Sequence, residues 1–185
     1  MKKILSILFA LCLCMAASAQ QHMKFMGIPL DGTVDNFALK LKAKGVTYDA
    51  VKSKAAESGR RVFNGTFMGE KATISVLYNP KSKIVFSAAV EMQYPTVESA
   101  HIPFLNLTES LQQKYPNSTP EENTGPDGDL IGLAFNISDE TGENQIGFIL
   151  QSLKTPSSGY GVSICLMYTD MENFEKSEAI VNEDL

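Results

Sequence analysis

Val62-Phe63-Asn64-Gly65-Thr66-Phe67-Met68, Lys71-Ala72-Thr73-Ile74-Ser75-Val76-Leu77-Tyr78 and Lys83-Ile84-Val85-Phe86-Ser87-Ala88-Ala89-Val90-Glu91-Met92-Gln93 follow one another with short breaks. In the second run Ala72, Ile74, Val76 and Tyr78 oppose Lys71, Thr73 and Ser75. In the third, Ile84, Phe86, Ala88, Val90 and Met92 oppose Lys83, Ser87, Glu91 and Gln93. A period of two held across neighbouring runs predicts antiparallel strands with one buried face. Met68-Gly69-Glu70 and Asn79-Pro80-Lys81-Ser82 supply the turns. Gly65, between Phe63 and Phe67, marks close packing or a bulge.

Working outward, the sheet needs a cover. On the N-terminal side Phe25, Met26, Ile28 and Leu30 form a short extended segment. Val34, Phe37, Ala38 and Leu41 then recur at helical spacing. Lys40, Lys42 and Lys44 suit the negative end of the helix dipole, and Gly45 suits the position after it, giving a helix over Val34–Lys44. Val46–Ser58 reads as a polar, partly helical connection.

On the C-terminal side Thr96 is an N-cap for a second helical segment. Pro103 inside it predicts a kink or restart, and Phe104, Leu107, Leu111 and Tyr115 carry the apolar stripe. Asn117–Asp129 reads as a polar loop. A second strand trio follows, Leu130–Ile137, Gln145–Leu153 and Tyr160–Thr169, and an acidic tail with a short helix anchored by Phe174 and Ile180. The expected fold is α+β: an antiparallel sheet of about six strands in two αβββ halves, with helices packed on one face.

The first 19 residues stand apart. Lys2 and Lys3, the apolar run Ile4–Met15 and Ala17-Ser18-Ala19 have the layout of a secretory signal peptide cleaved after Ala19. The run is shorter than the ~20 residues a membrane span needs. Removing 19 of 185 residues leaves 166, the size of one domain, residues 20–185. It also removes two lysines and no acid, taking the formal charge from −5 to −7. Arg60 and Arg61 are the only arginines, and no basic run is present, so nucleic acid and anionic membrane surfaces are not the expected partners. Cys165 alone of the three cysteines lies beyond the leader, so no internal disulfide is expected.

Met23-Lys24-Phe25-Met26-Gly27-Ile28-Pro29-Leu30, Phe63-Asn64-Gly65-Thr66-Phe67, Leu111-Gln112-Gln113-Lys114-Tyr115-Pro116 and Glu183-Asp184-Leu185 give the chain a resemblance. It resembles small secreted Bacteroidetes proteins of unknown function, whose element order is similar to the tandem helix-plus-sheet fold of β-lactamase inhibitor proteins. The resemblance implies an exported protein, and in those inhibitors the exposed sheet face grips another protein, although likeness of fold does not carry function with it. It supplies no catalytic residue.

Chemistry-bearing motifs are few. His22 and His101 have no Cys/His cluster around them, and no Gly-x-Ser-x-Gly occurs, so no zinc or serine-hydrolase site is expected. Asp127-Gly128-Asp129 with Glu121 and Glu122 offers oxygens of the kind calcium takes. Ile131 and Ser138, however, stand where an EF-hand needs ligands. Glu140 and Glu143 read as solvating acids rather than a glycosidase pair. No cofactor is expected. The remaining candidate is a surface: Lys71, Thr73, Ser75, Ser87, Glu91, Gln93 and Ser163, with Gln145, Gln151 and Thr169 beside them, on the face turned from the core. The expected function is an exported, non-enzymatic module binding a protein or envelope component. The alternatives are an inhibitor of a secreted hydrolase and a small enzyme or calcium-dependent protein using the loop carboxylates.

Overall fold

A computed structural model describes residues 22–118, 120–124, 130–139, 142–155 and 159–182. The leader, Asp127, Asp129, Glu140 and the closing Glu183-Asp184-Leu185 lie outside the described residues. The elements in chain order are β1 (Lys24–Phe25), β2 (Ile28–Pro29), α1 (Val34–Ala43), β3 (Thr47–Tyr48), α2 (Ala50–Ala55), β4 (Arg60–Phe67), β5 (Glu70–Tyr78), β6 (Val85–Tyr94), α3 (Val97–Lys114), β7 (Pro120–Thr124), β8 (Leu130–Asp139), β9 (Gly142–Thr155), β10 (Gly159–Asp170) and α4 (Met171–Asn182).

The fold is α+β, with the helices on one side of an antiparallel sheet. Six long strands form the body, and the short β3 and β7 flank them in the order β3-β4-β5-β6-β10-β9-β8-β7. Each half is a helix followed by a four-strand meander. The halves join where β6 pairs with β10, Val162 opposite Tyr94 through Thr169 opposite Ser87. β1 and β2 make a separate hairpin. Its turn uses Met26 and Gly27, both at positive φ, as a tight two-residue hairpin requires.

One core spans both halves. Val34, Phe37 and Leu41 of α1 and Ala100, Leu107 and Leu111 of α3 pack with Ile74, Val90, Ile164 and Leu166 from the strands. Phe25 stacks on Phe67 at 6.2 Å and meets Tyr168 edge-on at 5.5 Å, tying the hairpin to both halves. Gly65 is a close-packing glycine: a Cβ there would lie 3.1 Å from Val46 Cγ2. The β4–β5 register passes Gly65 without a shift, and a bulge falls instead in the next pair, between Leu77 and Tyr78 where β5 meets β6.

Three expectations change. The helix does not restart at Pro103: α3 runs unbroken from Val97 to Lys114 through it. The predicted loop Asn117–Asp129 contains β7, paired with β8 from Pro120 opposite Phe135. Polar composition hid this strand because an edge strand with little to bury needs no apolar alternation. The tail helix α4 is longer than expected. Phe174 meets Phe86 at 5.6 Å, but the residues α4 buries are Asn173 and Ser177. Ile180 lies in α4 with its side chain outside the described residues.

Candidate binding face and its surroundings

The ladder registers place the sequence-selected residues on one face. Thr73 sits opposite Glu91, Ser163 opposite Gln93, and Thr169 opposite Ser87. In an antiparallel ladder directly paired residues share a face. Their depth is uneven. Lys71 and Gln93 are exposed, and Thr73 and Glu91 are half-buried. Ser75, Ser87 and Ser163 are buried, with exposures of 5%, 2% and 1%, and Thr169 is buried beside them.

The burial has identifiable causes. Arg60 lies over Ser75 and donates to its Oγ from Nε at 3.2 Å and Nη2 at 2.8 Å. Ser87 donates to the Tyr168 carbonyl at 2.8 Å and bonds Thr169 Oγ1 at 3.3 Å. Ser163, the shortest polar side chain in its row, sits between Gln93 on β6 and Gln151 on β9. These three serines are therefore structural and do not offer an accessible surface. Gln145 is exposed, and the Gln151 side chain is outside the described residues.

What remains accessible is a cleft of about 400 Å³ lined by Asn64, Lys71, Thr73, Glu91 and Gln93 together with Gly65 and Ala72. Lys52 of α2 donates to Asn64 Oδ1 at 3.4 Å and Thr73 Oγ1 at 3.2 Å. Asn64 donates in turn to Asp49 Oδ2 at 2.9 Å. Asp49 also caps α2, and the Lys52 backbone N–H, then the Asn64 amide, hold its carboxyl below the usual range. Gln93 donates to Glu91 at 3.0 Å. Cys165, opposite Glu91 in the ladder, is half-buried, and burial first and Glu91 second push its thiol up. A thiol kept protonated is a poor nucleophile.

The histidines differ. His101 is exposed on α3. His22 is not a solvated tail residue: its Nδ1 lies 2.9 Å from Asp170 Oδ2. Asp170 also accepts from the Met23 N–H at 3.2 Å and the Asn173 N–H at 3.0 Å. Asn173 donates onward to the Leu30 carbonyl at 2.8 Å. A carboxylate facing an imidazole can orient a general base. Here both carboxylate oxygens are committed to holding the N-terminal segment against α4. Glu121 and Glu122 are exposed on β7. Among the described residues no three His, Cys, Asp or Glu side chains are grouped to hold a metal ion, and no helix is long and apolar enough to cross a membrane.

The distribution of charge was missed in reading the sequence. Residues 22–94 hold 11 Lys and Arg against 6 Asp and Glu, net +5, while residues 95–185 hold 3 against 15, net −12. Counting each half separately, rather than the whole chain, would have found it. The sheet order sets the β3–β6 block of the first stretch beside the β10–β7 block of the second.

No protein-family model, curated protein or solved structure matches the chain.

Proposed function

We propose that the protein is an exported, non-enzymatic binding module that recognises a protein or envelope component through the polar face of its sheet. One observation carries this reading: Lys71, Thr73, Glu91 and Gln93, drawn from two adjacent strands, line one accessible cleft of about 400 Å³. Its lining mixes an ammonium, a carboxylate, two amides and a hydroxyl over small residues. That composition suits wet, hydrogen-bonded recognition. The leader pattern at residues 1–19 and the family resemblance support export.

The burial of Ser87 decides how to test it. An arginine at Ser87 would break a buried hydrogen bond and disturb folding, whereas Gln93→Arg and Lys71→Glu alter exposed positions. Immobilised wild type and both variants would be exposed to envelope and culture extracts, and retained proteins identified by mass spectrometry. A partner held by wild type and lost by both variants, with melting temperatures unchanged, is the expected result. Identical retained sets for all three proteins would sink the proposal. If the retained partner is a secreted hydrolase, assaying it with and without the protein separates an inhibitor from a plain binding module.

A further inference from the structure

A second cavity, about 550 Å³, lies between α1 and β3 and shares no lining residue with the polar cleft. Leu39 and Ala38 of α1 form one wall, and Tyr48 and Phe63 form part of the other. Tyr48 meets Phe63 edge-on at 5.6 Å, which fixes its ring as a wall. Leu39 is 67% exposed and Tyr48 52%, so two large apolar side chains face water beside a preformed hollow.

Three charged side chains border the cavity: Lys42, Arg61 and Asp35. Asp35 offsets Arg61, which leaves the Lys42 ammonium as the net charge of the rim, in a half whose net charge is +5. Arg61 is paired with Asp35 at 2.6 Å and lies over the Tyr78 ring, so its guanidinium is held in place. The backbone adds a directional feature. β3 ends the sheet. Thr47 and Tyr48 pair with Asn64 and Phe63, and the Asp49 N–H bonds the Val62 carbonyl at 2.9 Å. Bonded and non-bonded pairs alternate along an antiparallel ladder, which turns the Tyr48 N–H and C=O toward the open edge.

We propose that this groove docks an extended segment of another protein rich in acidic and apolar residues. The segment lies along β3, places its apolar side chains between Leu39 and Tyr48, and sets a carboxylate against Lys42. The outward peptide group of Tyr48 favours a polypeptide over an anionic lipid, because only a backbone supplies the matching donor and acceptor.

The test is a nuclear magnetic resonance titration of the ¹⁵N-labelled protein with two pools of octapeptides. One pool alternates Glu or Asp with Leu, Val and Phe; the other alternates Lys or Arg with the same apolar residues. The acidic pool is expected to shift the amides of Leu39, Tyr48 and Phe63. Leu39→Asp is expected to weaken binding at least tenfold without lowering the melting temperature, since Leu39 is exposed. Lys42→Glu should move the preference toward the basic pool. Equal responses to both pools, or none at millimolar peptide, would overturn the inference. So would shifts confined to Thr73 and Gln93. Phosphatidylglycerol vesicles form a third arm: shifts at Leu39 and Tyr48 with vesicles but not with peptides would reassign the groove to an amphiphile.

Discussion

Gly59 and Gly69 both sit at positive φ, +87° and +85°, where an L side chain is strained. Only one is also crowded. A Cβ at Gly59 would lie 2.7 Å from the Tyr78 carbonyl oxygen, a backbone atom that cannot swing aside, whereas nothing lies within 4 Å of one at Gly69. The Gly59 carbonyl accepts from the Tyr78 N–H at 2.8 Å, so relief of the clash would disturb the start of the β4–β5 ladder. Gly69→Ala should cost about 1 kcal/mol, the strain of φ alone. Gly59→Ala should cost roughly 3 kcal/mol, strain and clash together. Urea unfolding of the two variants measures both, and equal costs would show that Tyr78 yields. The serines of the polar face make a related point about what one residue reveals in sequence. Their side of the sheet was legible at Ser75, Ser87 and Ser163, because alternation fixes sides. Their depth was not, because depth depends on which long neighbour folds over them, and Arg60 lying on Ser75 is a tertiary choice.

Helix ends were the most legible elements. At the end of α1 the Val46 N–H bonds the Leu41 carbonyl at 3.2 Å and the Gly45 N–H bonds that of Lys42 at 3.0 Å. This is a Schellman closure, and it buries Val46 with Leu41 in the core. Gly45 announced it. The start of α3 was legible in part: Thr96 was readable as the cap, but its partner was not. Thr96 Oγ1 accepts from the Ser99 N–H at 3.2 Å while the Thr96 N–H donates back to Ser99 Oγ at 3.2 Å. The usual signature has Glu or Gln at that position, so the reciprocal serine passed unnoticed. Pro103 stays inside α3 although it can donate no backbone hydrogen bond; Ala100, Leu107 and Leu111 on either side of it anchor the helix in the core. The N-cap of α3 is therefore expected to matter more than that of an ordinary helix. Thr96→Ala should lower stability by about 1–2 kcal/mol, the upper part of the range for cap removal. Thr96→Ser should restore most of it. Thermal denaturation of the pair checks this, and a Thr96→Ala effect near zero would mean that packing alone sets where α3 begins.

At the scale of the whole molecule the question is whether two halves of opposite charge behave as one body. Their element order repeats, which the sequence made visible. The seam did not show there, since nothing in local alternation says which strand of one trio meets which strand of the other. The structure puts the last strand of each half at the seam, with eight residue pairs between β6 and β10. The core crosses it: Phe37 and Leu41 from the first half join the same cluster as Ile164, Leu166 and Leu107 from the second. The hairpin residue Phe25 touches Phe67 on one side of the seam and Tyr168 on the other. A core shared in this way should unfold in a single cooperative transition. Phe37 is fully buried on α1, and replacing such a side chain by alanine costs about 3–5 kcal/mol. In a single cooperative unit Phe37→Ala should therefore lower amide protection in β10 as much as in β5, although Phe37 belongs to the other half. Native-state hydrogen exchange measures the two strands separately. Loss of protection confined to β4, β5 and β6 would mean that the halves fold as independent units and that the β6–β10 ladder merely holds them side by side.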